Sequence, residues 1–142
     1  MLKFEGIWRA QHGDKFYAAI GGFEYTLYQL FGSSADLGLV VEYSYDGRDR
    51  NPAEAPPVAF EDDYFLGTRF ALNDVQSTEF LLGAAVDRGD SSVTLSLEAE
   101  RRLAPHWTTE LEGQWFAKSG DDLVLSSFEQ DSNITLRFNR YF

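Results

Sequence analysis

The chain has 142 residues, a formal net charge of −11 and no cysteine. That length fits one domain, 1–142; the negative charge excludes nucleic acid as a partner, and the lack of cysteine excludes disulfides and thiolate metal sites. No apolar run approaches the roughly 18–20 residues of a membrane helix, and the longest, such as Leu37 to Val41, are strand-sized.

Period-2 alternation recurs along the chain, each run closed by turn-forming residues, and predicts eight strands. The first, Leu2 to Ala10, sets Leu2, Phe4 and Trp8 against Lys3, Glu5 and Arg9. It starts directly after Met1 with no leader before it, which points to a removed leader or to a segment of something longer. The second, about Phe16 to Tyr28, sets Tyr17, Ala19, Phe23, Tyr25 and Leu27 against Ala18, Gly22, Glu24 and Thr26. In the third, Leu37 to Tyr45, Leu39, Val41 and Tyr43 oppose Gly38, Val40, Glu42 and Ser44. The fourth, Tyr64 to Asn73, places Leu66, Phe70 and Leu72 opposite Gly67, Arg69 and Ala71. Phe80, Leu82, Ala84 and Val86 mark the fifth, away from Glu79, Gly83 and Ala85. In the sixth, Val93, Leu95, Leu97 and Ala99 oppose Thr94, Ser96, Glu98 and Glu100. The seventh sets Trp107, Leu111 and Trp115 against Glu110, Glu112 and Gln114. The last, Ile134 to Phe142, carries its alternation to the final residue. No segment shows helical spacing over the ~10–12 residues a helix needs.

The links alternate in character. Three tight turns, near residues 31–36, 73–77 and 103–106, lie at the end that holds both termini. At the opposite end are the short links around Gly13 and Gly89 and two long segments, 46–63 and 118–131. Pro52, Pro56 and Pro57 stiffen the first of these and keep it from pairing as a strand.

The terminal run, with Ile134, Leu136, Phe138 and Phe142 on one face, resembles the C-terminal signal strand of bacterial outer-membrane β-barrel proteins. Arg140 departs from that pattern, standing where an apolar or aromatic residue is usual. An even strand number with short turns at one end and longer loops at the other also fits such barrels. The resemblance implies an all-β, antiparallel up-and-down transmembrane β-barrel in the bacterial outer membrane. It implies lipid and lipopolysaccharide as surroundings, and recognition of the last strand by the barrel-assembly machinery.

Alternation does not say which face points outward. Gly6-Ile7-Trp8 is similar to the G-x-W signature of lipocalins, which implies instead a soluble barrel holding apolar ligands inside. The chain has no room for the helices of that family. Aromatic placement favours the membrane: Trp8, Tyr17, Tyr43, Tyr45, Tyr64, Trp107, Trp115 and Phe142 gather toward strand ends, as interfacial girdles do. Between them lie residues such as Ala19, Leu39, Leu82, Leu95 and Leu97.

The polar face carries Glu24, Glu42, Arg69, Glu79, Glu98, Glu100, Arg102, Glu110, Glu112 and Arg137, with Lys3, Glu5 and Arg9. In a narrow barrel these form a buried ion-pair network, since charges removed from water need partners. In a wider one they line a wet pore that prefers cations. Glu98, Glu100, Glu110 and Glu112 fall on one face of adjacent strands, where like charges repel unless Arg69, Arg102 or Arg137, water, a proton or a cation intervenes. Small residues on this face (Gly22, Gly38, Gly67, Ala71, Gly83, Ala85) make room for long Glu and Arg side chains.

The outer loops hold the acidic residues Asp14, Asp46, Asp49, Glu54, Glu61, Asp62, Asp63, Asp87, Asp90, Asp121, Asp122, Glu129 and Asp131. They read as solvated, with divalent-cation bridges to lipopolysaccharide phosphates as the functional alternative. No catalytic residues, cofactor or specific metal site are expected, because His12 and His106 fall at opposite ends of the strand pattern. Two readings stay open: a passive pore or porin-type segment with partner strands supplied by a larger parent or an oligomer, and a closed eight-stranded structural or adhesion barrel acting through its acidic loops. Pairing of the first strand with the last decides between them.

Overall fold

The computed structural model describes residues 1–11, 14–48, 61–89, 91–118, 125–128 and 130–142. Each alternating run is a strand: β1 (Leu2–Gln11), β2 (Asp14–Leu27), β3 (Asp36–Asp46), β4 (Asp62–Ala71), β5 (Glu79–Asp87), β6 (Val93–Ala104), β7 (Trp107–Lys118) and β8 (Asn133–Arg140). Single 3-10 turns at Leu30–Gly32 and Leu125–Phe128 are the helical elements among the described residues. Much of the long loops at 46–63 and 118–131 falls outside them, including Pro52, Pro56, Pro57 and the acidic residues Asp49, Glu54, Asp121, Asp122 and Glu129, as does Asp90 in the short β5–β6 link.

The strands form one antiparallel sheet in sequence order, each paired only with its chain neighbours. Apart from irregularities at both ends of the β6–β7 ladder, between Val93 and Thr94 and between Arg102 and Ala104, the ladders hold the alternation in phase, so a side chain on one face of β1 shares that face with its partners across to β8. One row on the apolar face runs Phe23, Val41, Leu66, Ala84, Leu95, Trp115.

The sheet is not closed. β1 pairs with β2 alone and β8 with β7 alone, so the eight-strand barrel with a β1–β8 ladder is not formed. The polar face offers a physical reason: besides its Glu and Arg residues it carries Phe16, Phe65 and Phe116, and an eight-strand interior is just wide enough for side chains to fill.

A single layer has no place to bury its apolar face. Among the described residues Ala35 is the one buried hydrophobic side chain, and the surface totals 9954 Å². A compact monomer of this mass exposes about 7,400 Å². The excess is that of an open sheet one layer thick.

Turns at the terminal end are stitched to one another. The Asn73 side-chain amide donates to Ser34 O at 2.8 Å and to Asp36 Oδ2 at 2.9 Å, and Ser34 Oγ donates to Leu72 O at 2.9 Å. Asn73 has φ +51°, a left-handed conformation that Asn tolerates better than most residues. Asp74 closes the next turn by accepting from Thr78 N at 2.7 Å and Thr78 Oγ1 at 2.8 Å. These bonds fix the spacing of β2 to β5 and thereby the rows of the polar face.

Candidate functional site

Strand register places the predicted polar residues in two adjacent rows. Glu79, Glu100, Glu110 and Arg137 stand side by side across β5 to β8. The next row holds Arg69, Leu81, Glu98, Glu112 and Thr135. Glu79, Leu81, Glu98, Glu100, Glu110 and Glu112 line an open cleft of about 270 Å³.

Two arginines answer part of this charge. Arg69 grips Glu79 in a fork, Nε to Oε1 at 2.5 Å and Nη2 to Oε2 at 2.6 Å. Arg137 donates to Glu112 and lies 3.9 Å from Glu110, whose Oε1 also accepts from Asn139 Nδ2 at 2.7 Å. Arg102, the third arginine expected to intervene, makes no ion pair among the described residues. It lies one row further toward the terminal end, opposite Thr108. Glu98 and Glu100, in the middle of the strip, are exposed and have no cationic side chain within 4.0 Å among the described residues. The centre of the acidic strip is therefore exposed and lacks a close cationic partner among the described residues.

On the other side of the sheet's polar face, Lys3 Nζ lies 3.0 Å from Glu24, and Glu42 adds to the field on Lys3. Gly22 provides the room expected of it, since a Cβ there would meet Glu42 Cγ at 2.7 Å. Gly67 and Gly83 serve a different side chain from the one expected. The Phe65 ring lies across both, with Cβ positions at 2.9 and 3.2 Å from its edge. Phe65 separates the two charged regions because its own face parity is that of Arg69 and Asp63.

The predicted aromatics that lie in strands belong to the apolar side, but unevenly. Tyr17 stacks on Tyr45 with ring centroids 5.2 Å apart, and Tyr43 meets Tyr64 at 5.1 Å. Trp8 stands opposite Tyr17, so five of the eight form one belt at the loop end. Trp115 lies one two-residue step inward, flat over buried Gly113, where a Cβ would meet its ring at 2.4 Å. Trp107 is at the terminal end. Between the belts, Leu39, Val41, Leu66, Leu82, Leu95 and Trp115 border an open apolar trough of about 610 Å³.

The last strand stops two residues short of the expected end. Ile134, Leu136 and Phe138 are on the apolar face, but Phe142 lies beyond the ladder and is fully exposed. Arg140 explains its own departure from the pattern. Its guanidinium sits 5.6 Å from the Trp107 ring centroid and 4.8 Å from that of Phe142, a cation–π arrangement that links the terminal aromatic to Trp107.

Several acidic residues expected in solvated loops are strand residues. Asp46, Asp62, Asp63 and Asp87 end β3, begin β4 and end β5. Asp63 and Asp87 stand opposite each other and are 3% and 6% exposed. Both are in phase with Phe65 and Ala85, so extending the alternation by one step at each end reveals them. Arg48 pairs with Asp46, and Arg88 with Asp62 at 3.2 Å, where Tyr43 Oη also donates at 2.8 Å. Tyr28, Phe31 and Val75, exposed at the terminal-end turns, gave no periodic signal because turn residues have none; Phe31 even holds φ +53°.

Among the described residues no group of three or more His, Asp or Glu has geometry for a metal ion. His106 sits in the β6–β7 turn, and His12 is outside the described residues. Comparison with protein-family models, curated proteins and solved structures returned no match.

Proposed function

We propose that this chain is wall from a bacterial outer-membrane β-barrel of the passive pore type, with its apolar face in lipid and its acidic face lining an aqueous, cation-preferring passage. The observation that carries this reading is the one-layer sheet: eight strands gather most of their apolar side chains on one face, and no other described residue covers it. In water such a face is an aggregation surface. Against hydrocarbon it needs no cover, and the tyrosine belt then falls at a membrane–water boundary.

The polar face supports the same assignment. Uncompensated Glu98 and Glu100 suit water and mobile cations, whereas a dry, side-chain-filled interior would require a partner for each. The apolar trough is continuous with the rest of the apolar face and fits acyl chains. A lipocalin-like binder would instead turn that face inward around a ligand, which a closed sheet would have to supply. In this reading lipid and lipopolysaccharide are the surroundings, and the Ile134, Leu136, Phe138 and Phe142 set presents the last strand to the assembly machinery.

The test is electrical. Reconstituted into planar bilayers under a salt gradient, the chain should give conductance with a cation-selective reversal potential. Replacing Glu98, Glu100, Glu110 and Glu112 with Gln should move that potential toward zero selectivity. A potential unchanged by the fourfold replacement sinks the pore reading of this face.

A further inference from the structure

Among the described residues the outer sides of β1 and β8 are unpaired, and both edges are long and apolar on the same face. Leu2 and Phe4 on β1 are 82% and 78% exposed, and Ile134, Leu136 and Phe138 on β8 are near 60%. Free edges of this kind are templates for pairing, so the question is what pairs with them and in which register.

Backbone direction answers part of it. Glu24 N donates to Met1 O at 2.8 Å, so by alternation the odd-numbered residues of β1 bond to β2, and Leu2, Phe4, Gly6 and Trp8 point their amides outward. Tyr141 N donates to His106 O at 2.9 Å, so the odd-numbered residues of β8 face β7, and Ile134, Leu136, Phe138 and Arg140 point outward. On both edges the outward-directed residues are those of the apolar face. An antiparallel junction of β8 with β1 therefore keeps apolar face continuous with apolar face.

The junction can slide only in two-residue steps, and charge selects among them. One register sets Arg137 against Lys3 and another sets it against Arg9, both repulsive. Two registers lie between these: one sets Arg137 against uncharged Ile7, and the other, the attractive one, sets it opposite Glu5 and also places Lys3 opposite Asn139, Phe4 opposite Phe138 and Trp8 opposite Ile134. Glu5 makes no ion pair among the described residues, while Arg137 carries further guanidinium donors beyond the one given to Glu112.

We propose that β8 of one copy pairs with β1 of a second copy of this chain in the register that sets Arg137 opposite Glu5, two such seams closing a barrel of two copies. Eight is an even number of strands, so both seams are antiparallel, and a two-fold axis along the barrel makes them identical. Two copies of eight strands give sixteen, the size at which a barrel keeps an aqueous channel. The proposal rests on the wall reading above.

The chain has no native cysteine, so a cross-link reports the seam directly. In the proposed register Ile7 and Thr135 stand opposite each other as a non-hydrogen-bonded pair, with Cα atoms about 4.5 Å apart, within reach of a disulfide. Ile7→Cys and Thr135→Cys chains, mixed, reconstituted in lipid and oxidised, should give covalent dimers; Ile7→Cys with Arg137→Cys should give far fewer. Glu5→Arg should weaken dimerisation about tenfold, the effect of some 1.4 kcal/mol, and Glu5→Arg combined with Arg137→Glu should restore it. No dimer from the mixed chains overturns the proposal. So does a fast-migrating, internally linked monomer from the doubly substituted chain, which marks closure at eight. Quenching of tryptophan by brominated lipid reads the wall assignment separately: quenching without dimers overturns the seam alone, and no quenching overturns the wall.

Discussion

The two halves of the polar face differ in how they handle charge. Across β1 to β3, Lys3 serves Glu24 at 3.0 Å and lies in the field of Glu42, and Arg9 and Glu5 complete a set close to balance. Across β5 to β8, Glu79, Glu98, Glu100, Glu110 and Glu112 meet Arg137, the reach of Arg69 from β4 and Arg102 one row away, and among the described residues no cation lies within 4.0 Å of Glu98 or Glu100. The same period-2 pattern built both halves. The difference teaches that alternation assigns a face, while the choice of partner across the ladder assigns a role.

Phe65 divides the halves, and displacing it should have the largest effect. Its ring occupies the space above Gly67 and Gly83, and a Cβ on Gly83 would also lie 2.6 Å from Ser96 Oγ. Gly83→Val should destabilise the chain by about 1–3 kcal/mol through overpacking, read as a lowered denaturant midpoint in micelles. A midpoint equal to that of the parent chain would mean that the ring moves aside freely and is no divider.

Next comes selectivity, which should follow the acidic half alone. One carboxylate about 4 Å from a passing cation contributes on the order of 1 kcal/mol in water, about a fivefold enrichment. Glu98→Gln with Glu100→Gln should remove most of the cation preference, and Glu24→Gln with Glu42→Gln should remove little. Equal losses from the two pairs would erase the distinction between the halves.

How much of this was legible beforehand depends on the kind of interaction. Strand positions and faces were readable because burial against one surface imposes a period of two, and Leu39, Leu66 and Leu95 obey it. The extent of β8 was not: the ladder ends at Arg140, whose guanidinium meets the ring of Phe142 beyond it in a cation–π contact, which no periodicity encodes. Asp63 and Asp87 read as loop residues because their acidity outweighed their phase. The partners of Arg69, Arg102 and Arg137 depend on register across ladders of separate strands, which a single strand's pattern does not contain. Closure was undecidable for the same reason, since alternation is identical in an open sheet and a barrel.

A smaller effect tests whether Arg69 belongs to the boundary or to the acidic half. Its fork to Glu79 is partly exposed, with the arginine side chain 59% accessible, so the pair stabilises by less than about 1 kcal/mol. Arg69→Gln should therefore barely alter the midpoint yet increase cation selectivity, because it releases Glu79 to the cleft. Unchanged selectivity would place Glu79 outside the path of the ions.

The smallest effect is a local one at the terminal end, outside both halves. Hydrogen bonding from the Thr78 backbone N–H, then from its hydroxyl, with the nearby Arg101, holds the Asp74 carboxyl below its ordinary value of 3.8. A folded-state value lower than the unfolded one means that the unfolded chain binds the extra proton, so the turn's stability rises with pH across that interval. The contribution is complete above the ordinary carboxylate range and is lost as pH falls through the depressed value. The Thr78 amide resonance should therefore titrate with a midpoint below 3.8, and Asp74→Asn should abolish that titration while leaving the reversal potential unchanged. A Thr78 midpoint at or above the ordinary value would show that the turn is not held by this carboxylate. A change in reversal potential with Asp74→Asn would show that the terminal-end turns set the spacing of the acidic rows, and the contrast between the two halves would then be partly a matter of the turns that space their strands.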